Sequence, residues 1–357
     1  MERRNFLKAS GLTALALGMG SWTGLFAQKR LPRNWAWGGV HENMSDDELL
    51  KAFDRYKSHG IDALLPEGNN AFYARISRLG KKAGIEIHAW RWTMNRGQYI
   101  RDHPEWYAVN RKGESCAGPN PPYVNYYRWL CPSQEEVKDA IVKDYSELCD
   151  IPELSGVHLD YVRYCDVYLP KELQPKYHLV QDHEMPEYDY CYCNTCRRLF
   201  REQTGIDPLD LEDPASNIAW RDFRLNQLVR LVQAIVEEVH RKDKLITAAV
   251  FPTPAMSRTM VRQDWPKFGL DAYLPMLYHH FYGEKESWIG QCVKESLTEL
   301  PKGTPVYAGI FRGALKTADL ASIYTMVKEN GGMGLSFFTA DSLSDTDLKI
   351  LKRALET

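Results

Sequence analysis

The chain has 357 residues, a formal net charge of -2, and a composition that is 44% hydrophobic and 26% charged. That balance is ordinary for a soluble globular protein of one large domain or two small ones. It excludes nucleic acid as the main partner, because phosphate binding needs a basic surface.

The first residues read as an export signal rather than as fold. Glu2-Arg3-Arg4-Asn5-Phe6-Leu7-Lys8 precedes an apolar run from Ala9 to Phe26, and Ala27 supplies a small residue at its end. A charged head, a short apolar middle and a small residue mark a signal peptide over 1–27. The paired arginines with Phe-Leu-Lys resemble a twin-arginine signal; a general secretory signal or an uncleaved anchor are the alternatives. No other apolar run is long enough to span a bilayer. The expectation is one exported domain over 28–357, periplasmic or extracellular, with no stable membrane insertion after cleavage.

Trp35 to Val40 reads as the first strand, ending at His41-Glu42. Ser45-Asp46-Asp47-Glu48 then matches a capping box, and Leu49, Leu50, Phe53 and Tyr56 recur at helical spacing behind it. Ile61 to Leu65 is the second strand, followed by Glu67 and a helix from Ala71 to Lys82 that stops at Gly84. Ile85 to Trp92 is the third strand, with His88, Trp90 and Trp92 on one face. Met94 to Leu130 lacks periodicity and reads as an ordered functional loop over the mouth of a barrel. Ser133-Gln134-Glu135-Glu136 is a second capping box, opening a helix to Cys149.

Gly156–Tyr164 reads as the fourth strand, ending in a cluster of polar and aromatic groups. Val157 and Leu159 share one face; His158 and Asp160 share the other. Tyr164 to Asn217 is a second long excursion, and Ile218 to His240 an amphipathic helix. Strands five to eight come next at Lys244–Phe251, Leu270–Tyr278, Val306–Phe311 and Gly334–Thr339, the later ones separated by helices at Ala318–Glu329 and Thr346–Leu355. Eight strands alternating with helices spell a (β/α)8 TIM barrel with long loops after strands three and four. A doubly wound open sheet is the alternative, but no glycine-rich phosphate turn follows strand one.

Such barrels carry their chemistry at the C-terminal strand ends. There the sequence offers Asp160, with Glu67 and Asp341 as partner carboxylates and Glu42 behind them. Trp90, Trp92, His158, Arg163, Tyr278 and His279 are the candidate substrate contacts. Carboxylates and tryptophans at one mouth suit glycoside hydrolysis, which needs one acid for the leaving oxygen and one carboxylate to attack or to activate water. The 10 Trp and 20 Tyr residues fit a sugar cleft or simply a large core.

Cys191-Tyr192-Cys193-Asn194-Thr195-Cys196 places three thiols in six residues, a spacing that suits one tetrahedral zinc whose fourth ligand comes from elsewhere in the chain, with Cys131 the leading candidate. Four thiolates leave no open position, so such a metal is structural. Disulfides, favoured by export, are the alternative. Cys149 and Cys292 read as small buried apolar groups, and Cys165 has no evident partner.

Gly-Val-His-Leu-Asp-Tyr-Val-Arg-Tyr at 156–164 resembles the fourth-strand signature of the glycoside-hydrolase-like barrel families. Cys-x-Cys-x-x-Cys-Arg-x-x-Phe at 191–200 resembles the zinc site of family-42 β-galactosidases, in which a further cysteine before the preceding helix completes the site; here that position is Cys131. The resemblance implies a barrel, a structural zinc, a carbohydrate substrate and no organic cofactor. It does not carry over the family-42 acid/base, because Tyr161-Val162 stand where that family has Asn-Glu, nor its strand-seven nucleophile, because this chain has Phe311-Arg312. Two other functions remain open: a barrel that binds carbohydrate without cleaving it, and a metal-dependent hydrolase or deacetylase using His41, His158 and His279.

Overall fold

A computed structural model describes residues 31–356; the export-signal reading of 1–27 lies outside the described residues. The eight expected strands form: β1 (Trp35–Trp37), β2 (Ala63–Leu65), β3 (Glu86–Trp92), β4 (Gly156–Asp160), β5 (Leu245–Val250), β6 (Ala272–Pro275), β7 (Tyr307–Phe311) and β8 (Gly334–Phe338). They pair in parallel in the order β6-β5-β4-β3-β2-β1-β8-β7. Single parallel bridges, Tyr273 to Val306 and Met276 to Gly309, draw β6 against β7 and all but close the ring. The result is a (β/α)8 barrel. Among the described residues no helix is long and apolar enough to cross a membrane.

The strand alternation sorts side chains as expected. Val157 and Leu159 join the outer core between strands and helices. Inside the ring, Trp35, Trp37, Leu65, Leu274 and Tyr307 form a separate core. His158 belongs to that interior, with its ring 5.2 Å from Trp37.

The helices are α1 (Asp46–Lys57), α2 (Asn70–Ala83), α3 (Glu135–Cys149), α4 (Asn194–Thr204), α5 (Ile218–Arg241), α6 (Pro254–Val261), α7 (Ser287–Glu299), α8 (Leu320–Glu329) and α9 (Asp345–Glu356). Ser45 caps α1 through a complete capping box, and Asn69 caps α2, which ends at Gly84 with φ 71°. The box expected at Ser133 does not form: Gln134 is the N-cap and makes no side-chain cap bond. Ser133 instead accepts a hydrogen bond from the Cys196 thiol at 3.1 Å.

The first strand is shorter than its sequence suggests. Gly38 and Gly39, with φ 75° and 81°, turn the chain after Trp37, so His41 and Glu42 lie beyond the strand. Only glycine adopts two such angles in succession without strain. Both long loops are ordered. Hairpin bridges link Asn95 to Trp129 and Tyr107 to Leu130, and a bridge from Asn110 to Tyr190 joins the loop after β3 to the loop after β4.

Gly156 opens the strand that carries Asp160 and sits where no side chain fits. A Cβ there meets Leu245 O at 2.3 Å and His88 Nδ1 at 2.6 Å. Gly156→Ala is expected to destabilise the fold by about 1–3 kcal/mol, the usual cost of overpacking. Urea unfolding measures it; an unchanged midpoint refutes this account of the strand.

Candidate active site and metal centre

β4 delivers Asp160 to the C-terminal mouth, and the chain turns at once. Tyr161 adopts φ 46°, a conformation a bulky residue takes only when its surroundings enforce it. Thr93 N donates to Asp160 O at 2.7 Å and Met94 N to Tyr161 O at 3.2 Å, which anchors the turn to the end of β3. The Asp160 carboxylate accepts from Tyr161 N (2.7 Å to Oδ1) and from the Trp90 indole (2.9 Å to Oδ2).

Asp160 opens into a cavity of about 240 Å³ walled by Trp37, Trp90, Trp92, Tyr161, Tyr278 and Phe338, with Arg163, Ala249 and Met276 completing it. Asp160 is its lining carboxylate; Glu67 and Asp341 are not among the lining residues. Part of Asp160 stays exposed to the cavity, but aromatic carbon surrounds the rest, and burial raises its carboxyl above the ordinary value. The two N–H donors and the Arg163 charge oppose that rise without cancelling it. Arg163 is fixed as a wall. It donates to Asp166 and to Tyr164 O, each at 3.0 Å, and lies over the Trp129 ring at 4.6 Å.

The other expected residues divide. Trp90, Trp92, Arg163 and Tyr278 reach the cavity. His158 does not: it is fully buried inside the barrel, with Nδ1 on Thr247 Oγ1 at 2.8 Å. Burial pushes its pKa well below the usual histidine value, so it stays neutral. Its ring packs edge-on against Trp37, below the cavity. His279 starts a short turn after β6, half-buried and outside the cavity lining. Glu67 is exposed and lines a second cleft of about 600 Å³ that shares Trp90 and Trp92 with the first. Asp341 accepts from Gly39 N and from His41 Nε2, each at 3.0 Å. Glu42 serves structure, accepting from Asn69 N and Nδ2 at the start of α2. The sequence reading missed Trp37 and Phe338. The signal for Trp37 was the Trp-Ala-Trp alternation of β1, which puts both tryptophans inside the ring.

The second centre is the cysteine cluster. The Sγ atoms of Cys131, Cys191, Cys193 and Cys196 all lie within 4.8 Å of one another, and all four residues are buried. Cys131 Sγ is 3.4 Å from Cys196 Sγ and 3.5 Å from Cys193 Sγ. Those edges are near the roughly 3.8 Å expected for a tetrahedron of about 2.3 Å metal–sulfur bonds, and far beyond a disulfide's roughly 2.05 Å. No cysteine among the described residues is bridged, so the disulfide alternative does not describe this structure. The cluster is therefore close enough to hold a metal ion. Val109 N and Cys193 N point at Cys191 Sγ, at 3.4 and 3.5 Å, as donors to a thiolate do. Burial first, and then the neighbouring thiols, push the Cys191 and Cys196 thiols well up, so a cation is what would keep them ionised.

Cys131 precedes α3, while the other three lie before and in the first turn of α4. The cluster thus draws its sulfurs from both the loop after β3 and the loop after β4. A buried ionic network adjoins it: Asp189 pairs with Arg224 and accepts from Tyr192 Oη at 2.6 Å, and the Trp220 indole donates to Tyr192 Oη at 3.0 Å. Among the described residues this is the His/Cys/Asp/Glu group compact enough for a metal. His41, His158 and His279 are not brought together, which removes the site a histidine-bound catalytic metal requires.

No family model and no curated protein matches the sequence. Solved structures match the fold. The catalytic domain of a β-amylase from Paenibacillus polymyxa has a TM-score of 0.58 at 12% identity, covering 90% of this chain and 97% of that one. A cold-adapted β-galactosidase from Rahnella sp. gives 0.59 at 11%, covering 90% of this chain and 55% of that one. A GH42 β-galactosidase from G. stearothermophilus gives 0.58 at 12%, covering 90% and 56%. The chain thus spans nearly all of the amylase domain and about half of each galactosidase. At such identities the likeness is one of fold.

The raised Asp160 carboxyl has a thermodynamic consequence. Below the unfolded-state pKa both states hold the proton; as pH rises past it the unfolded chain ionises first, and stability falls until the pH passes the folded pKa. Asp160→Asn removes the buried charge and is expected to raise the melting temperature at pH 7 relative to the parent. The gain should shrink toward pH 3, and a loss of stability at pH 7 refutes it.

Proposed function

We propose that the protein is an exported glycoside hydrolase whose reaction takes place in the aromatic cavity at the barrel mouth, with Asp160 as its principal catalytic carboxylate. The observation that supports this reading is the cavity itself: flat ring faces around one desolvated carboxyl at the end of β4. Sugar rings stack on such walls, and a carboxyl raised by burial keeps a proton nearer neutral pH than an exposed one. That suits protonation of the departing glycosidic oxygen, followed by removal of a proton from the incoming water. Glu67 is the first candidate for the second carboxylate, because its cleft shares Trp90 and Trp92 with the Asp160 cavity. Asp341, already bound to His41 and Gly39, is the second. The paired arginines and apolar run at the N-terminus support export.

Binding without cleavage is the competing reading. It is favoured by the single lining carboxylate and by strand seven, where Phe311 packs on Phe338 at 6.2 Å and Arg312 is locked to Asp347 at 2.7 Å.

A screen of aryl glycosides and plant and host glycans tests the proposal. Asp160→Asn should lower kcat by about 10²–10⁴ with a folded protein, the range for loss of a general acid–base. Full activity in that variant overturns the assignment. Glu67→Gln and Asp341→Asn, compared side by side, identify the partner by which one shares the loss.

We infer that the metal at Cys131, Cys191, Cys193 and Cys196 is zinc, from the four-thiolate donor set and its tetrahedral spacing. A closed site acts on folding, since binding free energy is folding free energy where no site exists in the unfolded chain. Chelation and Cys131→Ser should both lower the melting temperature while the protein that remains folded keeps its kcat. Chelation that abolishes turnover at an unchanged melting temperature refutes a structural metal.

A further inference from the structure

The cleft beside the Asp160 cavity has its own chemistry. It measures about 600 Å³, in the range of small-molecule sites, and opens along Trp90 and Trp92. Five charged side chains line it: Glu67, Arg91, Arg96, Arg128 and Asp144. Arg96 and Asp144 pair at 2.8 Å and cancel. Two guanidinium groups then face one carboxylate.

Neither of those two arginines is bound to a carboxylate among the described residues. Arg128 donates from Nη1 to Cys116 O (3.0 Å) and Gly118 O (2.6 Å), which fixes its plane and leaves Nε and Nη2 free of acceptors among the described residues. Arg91 donates to Gly68 O (2.7 Å) and Asn70 Oδ1 (3.2 Å) and lies over the Tyr73 ring at 5.2 Å. Both are half-buried. Neutral acceptors thus orient two cations without neutralising them. A guanidinium held in one plane with spare N–H donors matches the forked oxygens of a carboxylate or a sulfate ester. Other arginines of the fold, such as Arg224, Arg258 and Arg312, have acidic partners in the chain.

We infer that this cleft binds an anionic sugar residue, a uronate or a sulfated ring, through Arg128 and Arg91, next to the ring held in the Asp160 cavity. The inference rests on the glycosidase reading for the word sugar and extends it to an acidic glycan. Glu67 sets a limit: its negative charge favours an anion that meets the arginine side of the cleft. Tyr126, 6.0 Å from Trp92, extends the aromatic wall in that direction.

Calorimetry with three oligosaccharides of equal length tests it: an oligogalacturonate, a sulfated galacto-oligosaccharide and a neutral galacto-oligosaccharide. The full protein and its Asp160→Asn variant are titrated at low and high salt. At least one anionic oligosaccharide should bind about tenfold more tightly than the neutral one, and the preference should shrink with salt. Which anion wins separates carboxylate from sulfate. Arg128→Gln should cut the anion preference severalfold, by far more than any change in neutral binding. Since Arg128 also holds two loop carbonyls, Arg91→Gln provides an independent reduction of the same preference. Equal affinity for all three, no binding of either anion, or a preference that survives both substitutions overturns the inference. Hydrolysis at the parent rate by Asp160→Asn would remove the catalytic assignment while leaving a charge preference standing, so the two failures are distinguishable.

Discussion

The two long loops are brought together at the four-cysteine cluster, with one sulfur from the loop after β3 and three from the excursion after β4. The Asn110–Tyr190 bridge and the Asp189–Arg224 pair lie on the same seam. Closing a loop is an entropic cost paid once, and a cross-link between two loops restricts both. Trp92, the last residue of β3, and Tyr161 and Arg163, just past β4, wall the cavity where the two loops begin.

The barrel supplies what the loops cannot. Strand alternation sends Asp160 inward and upward, above His158 and Trp37, and the parallel register sets Trp92 beside Asp160 and Trp90 beside His158. The interior is rich in aromatic rings, so ring faces make up much of the floor beneath the carboxylate. Its two hydrogen bonds come from groups it cannot lose without unfolding the turn: the next backbone amide and an indole in the neighbouring strand. Tyr161 keeps its positive φ at this turn, with its carbonyl held by Met94 N at 3.2 Å.

Much of this was readable from residue order alone. The eight strands follow from period-two runs bounded by glycines and prolines, and the tight cysteine spacing announces a shared ligand. The inward phase of His158 and Asp160 follows from counting. What failed was local competition. Ser133 has the spacing of a cap but is used by Cys196, and β1 stops early because two glycines carry the chain round. A strand read to Val40 ends at His41 and Glu42, whereas β1 ends at Trp37. Which carboxylates share the cavity with Asp160 is not legible in residue order, because loop paths, not strand phases, place Glu67 and Asp341. His158 shows the same limit from the other side: its phase was right, but its depth placed it under the site rather than in it.

The Trp90 indole has two duties that meet in one ring. Its face lines the cavities, and its N–H holds the Asp160 carboxylate. Whatever stacks on that face therefore bears on the hydrogen bond at its edge. A ring held at its edge by that bond has little freedom to turn, so wall and carboxylate keep a fixed position relative to one another.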